Sequence, residues 1–156
     1  MGETASVADE VERVFRAHGD KLWRSVFLLS GDPEVTSDAV AEAFAQALQR
    51  GNAIAAVDRW VWRAAFRIAL GELKRRGRNL PLSDDAIAVL PPDTVDLMGA
   101  LPSLTPKQAG AVILHHYSGY SNRETAEILG STTAAVGVHL ERGRRKLREL
   151  LGEADA

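Results

Sequence analysis

The fold of this chain is decided by residues 101–151, which read LPSLTPKQAGAVILHHYSGYSNRETAEILGSTTAAVGVHLERGRRKLRELL. Two capping boxes occur in this stretch, Thr105 with Gln108 and Ser121 with Glu124. In a capping box the two side chains satisfy free N–H groups at the start of a helix, so each pair predicts a helix N-terminus.

A third helix is predicted after the turn residue Gly130, capped by Thr132 or Thr133. Apolar or small residues recur along it at spacings of four, three and four, which predicts one buried stripe: Val136, Leu140, Gly143 and Leu147. A short helix, a glycine turn and a second helix with one buried stripe are typical of a helix-turn-helix, whose second helix enters the major groove of DNA. A plain helical hairpin with a solvated basic end is the alternative.

The composition limits the possible classes of protein. The chain has 156 residues and no cysteine, which excludes disulfides and thiolate metal sites. No apolar run is long enough to span a membrane, and the acidic N-terminus predicts no signal peptide. The net charge is only −2, but its distribution is uneven. Residues 60–78 and 137–148 are basic, whereas residues 81–100 carry four Asp and no Lys or Arg.

Strand signals are nearly absent, so we expect an all-α protein built from two small helical domains. The first is a three-helix domain over residues 7–77, with Phe15 and Leu48 among its inward-facing residues. A flexible Pro- and Asp-rich linker over 78–98 follows. The helix-turn-helix domain then covers residues 99–151.

Aromatic and basic residues share the third helix. Trp60 and Trp62 lie about 200° apart around a helix, so both cannot face one core. Aromatic rings interleaved with arginine suit single-stranded nucleic acid, because bases stack on the rings while arginine holds phosphate. Core aromatics beside a solvated basic face are the equally weighted alternative.

Two further patterns have both a functional and a structural interpretation. On the second helix one polar stripe follows the helix period: Asp38, Glu42, Gln46 and Gln49. This stripe is either a solvated surface or a docking face for a basic partner. His139 lies on the predicted recognition helix, where it either contacts DNA or is merely exposed. Adjacent His115 and His116 point about 100° apart and cannot chelate a metal together, and no catalytic constellation is present. We therefore expect no enzyme activity, no metal and no cofactor.

These motifs, in this order, resemble an extracytoplasmic-function (ECF) sigma factor, the minimal type of the sigma-70 family, over residues 11–151. Residues 36–44 (TSDAVAEAF) resemble the acidic helix with which such factors grip the clamp coiled coil of the polymerase's largest subunit. Residues 60–76 resemble the helix behind melting of the −10 element. Residues 101–108 and the helices after them resemble the domain that reads the −35 element.

The resemblance implies three groups of site residues. The polymerase-binding residues are Asp38, Glu42, Gln46 and Gln49. The −10 DNA-binding residues are Asn52, Trp60, Trp62, Arg63, Arg67, Lys74, Arg75 and Arg76. The −35 DNA-binding residues are Ser121, Asn122, Arg123, Thr133, His139, Arg142, Arg144 and Arg145. Gly137 and Glu141 depart from the family's usual recognition helix.

The resemblance also implies the partners of the protein. These are core RNA polymerase, promoter DNA and an anti-sigma factor or other regulatory protein, in the cytoplasm and without insertion into a membrane. Two other classes stay open. One is a stand-alone helix-turn-helix transcriptional regulator that binds duplex DNA without polymerase, and the other is an adaptor that binds no DNA.

Overall fold

A computed structural model describes residues 6–76 and 95–152, and within these ranges the chain is helical with no strand. This confirms the all-α prediction. The N-terminal half contains α1 (Val7–Ser30), α2 (Pro33–Arg50) and α3 (Val57–Arg76), with a 3-10 turn at Gly51–Ala53. The C-terminal half contains α4 (Val95–Ala100), a 3-10 turn (Leu101–Ser103), α5 (Pro106–Val112), a π turn (Ile113–Tyr117), α6 (Asn122–Leu129) and α7 (Thr133–Leu151).

The helix ends of the N-terminal half follow from local chemistry. Gly31 ends α1 in the left-handed conformation, at φ 70°. Asp32 then caps α2 by accepting hydrogen bonds from two backbone N–H groups, with Pro33 at the first helical position. The third helix begins at Val57, so Asp58 lies in its first turn.

The C-terminal half has the predicted helix-turn-helix. Both capping boxes are present, and Gly130 closes α6 at φ 65°. Thr132, not Thr133, caps α7. On α7 the residues Val136, Leu140 and Gly143 are buried, whereas Leu147 is only partly buried.

Gly143 is a point of close approach between α7 and α5. A Cβ atom placed on Gly143 would lie 2.9 Å from a methyl carbon of Val112 and 3.3 Å from one of Leu104. Because Gly143 has no side chain, α7 can pack directly against α5. Gly137, on the same helix, has no neighbour within 4 Å of such an atom.

Three sequence predictions are corrected. The C-terminal half begins at Val95 or before, because α4 starts there and Met98 is 2% exposed, so residues 95–98 are not linker. Phe15 and Leu48, predicted to face inward, are about half exposed because they lie at the margins of their apolar stripes. Phe15 instead packs edge-on against Phe44 at a ring distance of 5.2 Å. The remainder of the predicted linker lies outside the described residues.

The two halves pack against each other. The hydroxyl groups of Ser25 on α1 and Ser118 share a buried hydrogen bond of 2.8 Å. Trp62 on α3 meets Tyr120 edge-on, with ring centroids 5.0 Å apart. Through these contacts α3 lies directly against the start of the helix-turn-helix.

Candidate polymerase and nucleic-acid interfaces

The polar stripe on α2 is a solvent-facing surface. Asp38, Glu42 and Gln49 are exposed, and Gln46 is half-buried. The amide nitrogen of Gln46 donates to Oε1 of Glu42 at 3.0 Å, so the two side chains are held side by side. The stripe borders a shallow groove between α2 and α3 with an apolar floor that includes Ala39 and Ile68. Acidic groups over an apolar floor suit a partner that offers both basic and apolar side chains.

The basic end of α3 lies along this same groove. Arg75 and Arg76 both pair with Glu72 of their own helix, and Nη1 of Arg76 is also 3.8 Å from Asp32. The hydrogen bond from Arg75 is the main cause that lowers the pKa of Glu72. These arginines, predicted to bind −10 DNA, are therefore brought to the acidic groove instead. Lys74 is exposed nearby on α3.

Arg67 is also separated from the other −10 candidates. It lines a second shallow depression together with Glu42, Gln46 and Gln49. In this position its guanidinium group belongs to the surface of α2 and α3 that carries the polymerase-binding candidates.

A smaller aromatic and basic surface lies around the 51–56 turn. Asn52 and Arg63 are exposed, and Trp60 is half-buried. The guanidinium carbon of Arg50 lies 5.8 Å from the centre of the Trp60 ring, within the range of a cation–π contact. Trp60 and Arg63 line one depression beside this turn. The structure thus brings together two of the eight −10 candidates, Trp60 and Arg63, beside the turn that carries Asn52.

Trp62 is placed differently from the prediction. It is fully buried between Phe66, at 6.1 Å ring distance, and Tyr120 of the C-terminal half. Its indole N–H has no hydrogen-bond partner. Because Trp62 is two positions from Trp60, the two rings point to different sides of α3, and the ring of Trp62 points to the C-terminal half. In this arrangement Trp62 is a core residue and does not reach DNA.

Charged groups surround the same contact between the halves. Arg59 lies 3.2 Å from Glu127 and 3.8 Å from Glu124, both on α6. Burial raises the pKa of Tyr120 to about 12, and the carboxylates of Asp58 and Glu124 add to this effect. The first helix of the helix-turn-helix therefore covers one side of α3.

The −35 candidates before and at the turn have mixed roles. The Ser121 hydroxyl accepts from the N–H of Glu124, so it is a cap. The side-chain oxygen of Asn122 is buried without a partner. Arg123 is exposed at the start of α6, where a guanidinium group can reach a phosphate.

The −35 candidates on α7 point in different directions. Thr133, Arg142 and Arg145 are exposed. His139 is half-buried, and burial, followed by the nearby charges of Lys107 and Arg142, lowers its pKa. The Nε group of Arg144 donates to Nε2 of His116 at 3.0 Å. His139 is therefore partly covered by the C-terminal half, whereas Arg144, although exposed, is held beside His116.

Sequence reasoning missed two residues on the solvent face of α7. Ala134 and Val138 are exposed there, beside Glu141 and Gly137, which the sequence had already singled out. A helical-wheel projection could have found this face, because it lies opposite the buried stripe of Val136 and Leu140.

Within residues 6–76 and 95–152, no group of His, Asp or Glu side chains is arranged to hold a metal ion. In the same ranges no helix is both long and apolar enough to cross a bilayer.

Comparison with known proteins finds a family match for the C-terminal half and relatives that align with most of the chain. Residues 94–147 match the profile of the family described as sigma-70, region 4. The chain is 30% identical to the RNA polymerase sigma-E factor of Streptomyces avermitilis, over 94% of this chain and 87% of that protein. It is also 30% identical to the ECF RNA polymerase sigma factor SigM of Mycobacterium tuberculosis, over 90% of this chain and 76% of SigM. With SigE of Mycolicibacterium smegmatis it shares 27% identity and spans 62% of the length of that relative.

Solved structures show the same fold. The sigma factor RpoE of Bartonella quintana, solved with the anti-sigma factor NepR, superposes with a TM-score of 0.71 and 24% identity, over 91% of this chain and 94% of RpoE. CnrH, solved with the cytosolic domain of CnrY, gives a TM-score of 0.72 and 21% identity, over 94% of this chain and 89% of CnrH.

Proposed function

Since this chain belongs to the ECF RNA polymerase sigma factors of the sigma-70 family, we propose that its two halves divide promoter binding between them. Residues 7–77 bind core polymerase and the −10 element, residues 95–151 bind the −35 element, and residues 78–94 connect them. The protein works by positioning polymerase and not as an enzyme. The observation that supports this most directly is the α6–turn–α7 unit with its exposed outer face.

The outer face of α7 is the surface proposed to enter the major groove of the −35 element. Thr133 lies at its N-terminal end, where a recognition helix contacts base edges. Arg142 follows on the exposed side and Arg123 at the start of α6, as phosphate contacts that position the helix without reading sequence.

The α2 surface is proposed to bind core polymerase. Asp38 and Glu42 are exposed one helical turn apart, and the groove beside them has an apolar floor. Arg67, Arg75 and Arg76 flank these carboxylates, so the surface offers both signs of charge to its partner. Complementary charges at such a surface set the rate and specificity of association.

The 51–56 turn with Asn52, Trp60 and Arg63 is proposed to hold the melted −10 strand. The partly exposed ring of Trp60 offers a stacking surface, and Arg63 lies one turn further along α3, in reach of a phosphate. Trp62 takes no part in this contact as long as it remains packed on Tyr120.

A regulatory protein is the proposed third partner, acting with polymerase and promoter DNA in the cytoplasm. The support is that RpoE of similar fold was solved with the anti-sigma factor NepR, and CnrH with the cytosolic domain of CnrY. A protein that holds the two halves together would keep α6 on α3 and so restrict access to both DNA-binding surfaces.

The test is run-off transcription with purified core polymerase on a pool of genomic DNA fragments. We expect discrete start sites that need the wild-type protein and that are lost with the double variant Asp38→Arg/Glu42→Arg. The double variant Glu12→Arg/Asp20→Arg, which reverses two exposed charges on α1, is the matched control and should keep the start sites.

Other outcomes would contradict the proposal. Salt-dependent binding to duplex DNA without transcripts would favour the stand-alone helix-turn-helix regulator. Loss of transcripts with both double variants would show that net charge matters and not the α2 surface. Neither transcripts nor DNA binding would favour the adaptor.

A further inference from the structure

The first turns of α7 carry an unusual set of side chains on their solvent face. Thr133, Ala134, Val138 and Glu141 are exposed there, with Val138 at 45% and Gly137 between them. Recognition helices commonly read guanine with Arg or Lys and adenine with Asn or Gln. This face has none of these four residue types, so it cannot read bases in that way.

The residues that could have filled this role are directed elsewhere. His139 is half-buried and its Nδ1 atom has no hydrogen-bond partner. Arg144 is hydrogen-bonded to His116. Arg142 is exposed but lies about 100° around the helix from Glu141, at the edge of this face, where it is directed toward the phosphates. The groups left to contact bases are the methyl groups of Ala134 and Val138, the hydroxyl of Thr133 and the carboxylate of Glu141.

We propose that α7 reads its DNA element through thymine methyl groups and a cytosine amino group. Ala134 and Val138 pack against the C5-methyl groups of thymines, and Glu141 accepts a hydrogen bond from the N4 amino group of a cytosine. Each pairing follows from the groups that the bases present in the major groove. This inference rests on the proposed function of α7 in −35 recognition.

The local charges and shape of α7 support duplex DNA as the occupant of this face. Nη2 of Arg145 lies 3.1 Å from Oε1 of Glu141, which offsets the repulsion between that carboxylate and nearby phosphates. The exposed guanidinium of Arg142 adds positive charge beside the face. A Cβ atom on Gly137 would meet nothing within 4 Å, so no other part of the protein covers α7 at this position and DNA could approach its backbone closely. Close approach of the backbone is what lets the short side chains of Ala134 and Val138 reach a base edge.

The first experiment selects promoter duplexes with a randomised upstream element, using polymerase holoenzyme assembled with the wild-type protein. We expect enrichment of thymines and one cytosine on the strand facing the first turns of α7. Replacing an enriched thymine by deoxyuridine, which lacks only the methyl group, should weaken holoenzyme binding about threefold to fivefold.

Variants of the protein assign the methyl contact. With Val138→Ala the difference between thymine and deoxyuridine should shrink at one position, because the shorter side chain makes a smaller contact with the methyl group. Leu150→Ala is the matched control, because Leu150 lies at the end of the same helix and is 46% exposed. It should keep the full difference.

Glu141 has its own test. Glutamine at this position pairs with adenine, so selection with Glu141→Gln should move the preference from cytosine to adenine by about tenfold. Glu149→Gln, which removes the same charge in the last turn of α7, should leave the preference unchanged.

The outcomes separate this inference from the proposed function. Transcription that needs an upstream element but is indifferent to deoxyuridine and to Glu141→Gln would overturn the inference alone. Transcription without any upstream preference would also overturn it, and would favour a protein partner for this face. Absence of polymerase-dependent transcription would overturn the proposed function as well.

Discussion

The two glycines of α7 allow a direct test of how tightly this helix is packed. Replacing glycine by alanine inside a helix raises the free energy of unfolding by about 1 kcal/mol, because alanine has less backbone entropy to lose. At Gly137 nothing opposes this gain, since a Cβ atom there has no neighbour within 4 Å. Gly137→Ala should therefore stabilise the protein by about 1 kcal/mol.

At Gly143 the same methyl group would be placed 2.9 Å from Val112 and 3.3 Å from Leu104. Overpacking a core position costs about 1–3 kcal/mol, because helix and side chains must shift. Both variants share the gain in helix propensity, so Gly143→Ala should be less stable than Gly137→Ala by about 1–3 kcal/mol.

Urea unfolding followed by far-ultraviolet circular dichroism measures this difference. With a slope of about 2 kcal/mol per molar urea, the two midpoints should differ by about 0.5–1.5 M. Equal midpoints would refute the close approach of α7 to α5 and, with it, the placement of the outer face of α7.

Three further predictions concern the region before and around the turn. Ser121→Ala removes the cap that accepts from the Glu124 N–H and should lower the free energy of unfolding by about 1 kcal/mol, while Ser121→Asp should retain it in the same denaturation assay. The pKa of His116 is lowered from 6.5 by burial and then by Arg144 and His115. The contribution of His116 to the free energy of unfolding is therefore present above pH 6.5 and is lost as the pH falls below it. In His116→Gln the free energy of unfolding should depend less on pH across this range. The pKa of Tyr120 is raised from 10.0 to about 12, so its contribution is present below pH 10 and lost between pH 10 and 12; Tyr120→Phe should remove that alkaline loss, whereas an unchanged pH profile would contradict burial of the phenol.

Local signals in the sequence predicted the elements well. The capping boxes at Thr105 and Ser121, the turn at Gly130 and the buried stripe through Val136 are all present. These features depend on neighbours a few positions apart, so periodicity and capping rules locate them without tertiary information.

The positions of the site residues depended on long-range packing, which periodicity does not encode. Trp62 is buried by Tyr120, a residue 58 positions later in the chain. Arg75 and Arg76 lie on the groove with Asp38 and Glu42 because α3 runs alongside α2. Residue type alone could not separate these arginines from Arg63, which lies near the 51–56 turn.

The ion pairs along α7 have a consequence for how binding responds to salt. Five cations crowd the end of this helix, but Arg145 lies against Glu141 and Lys146 lies 3.8 Å from Glu149. Each phosphate contact releases condensed counterions and contributes about −0.9 to the slope of log K against log salt on duplex DNA. A cation that stays with its own carboxylate releases none. The slope contributed by this helix should therefore correspond to about three contacts rather than five, which lets the protein leave non-specific DNA readily.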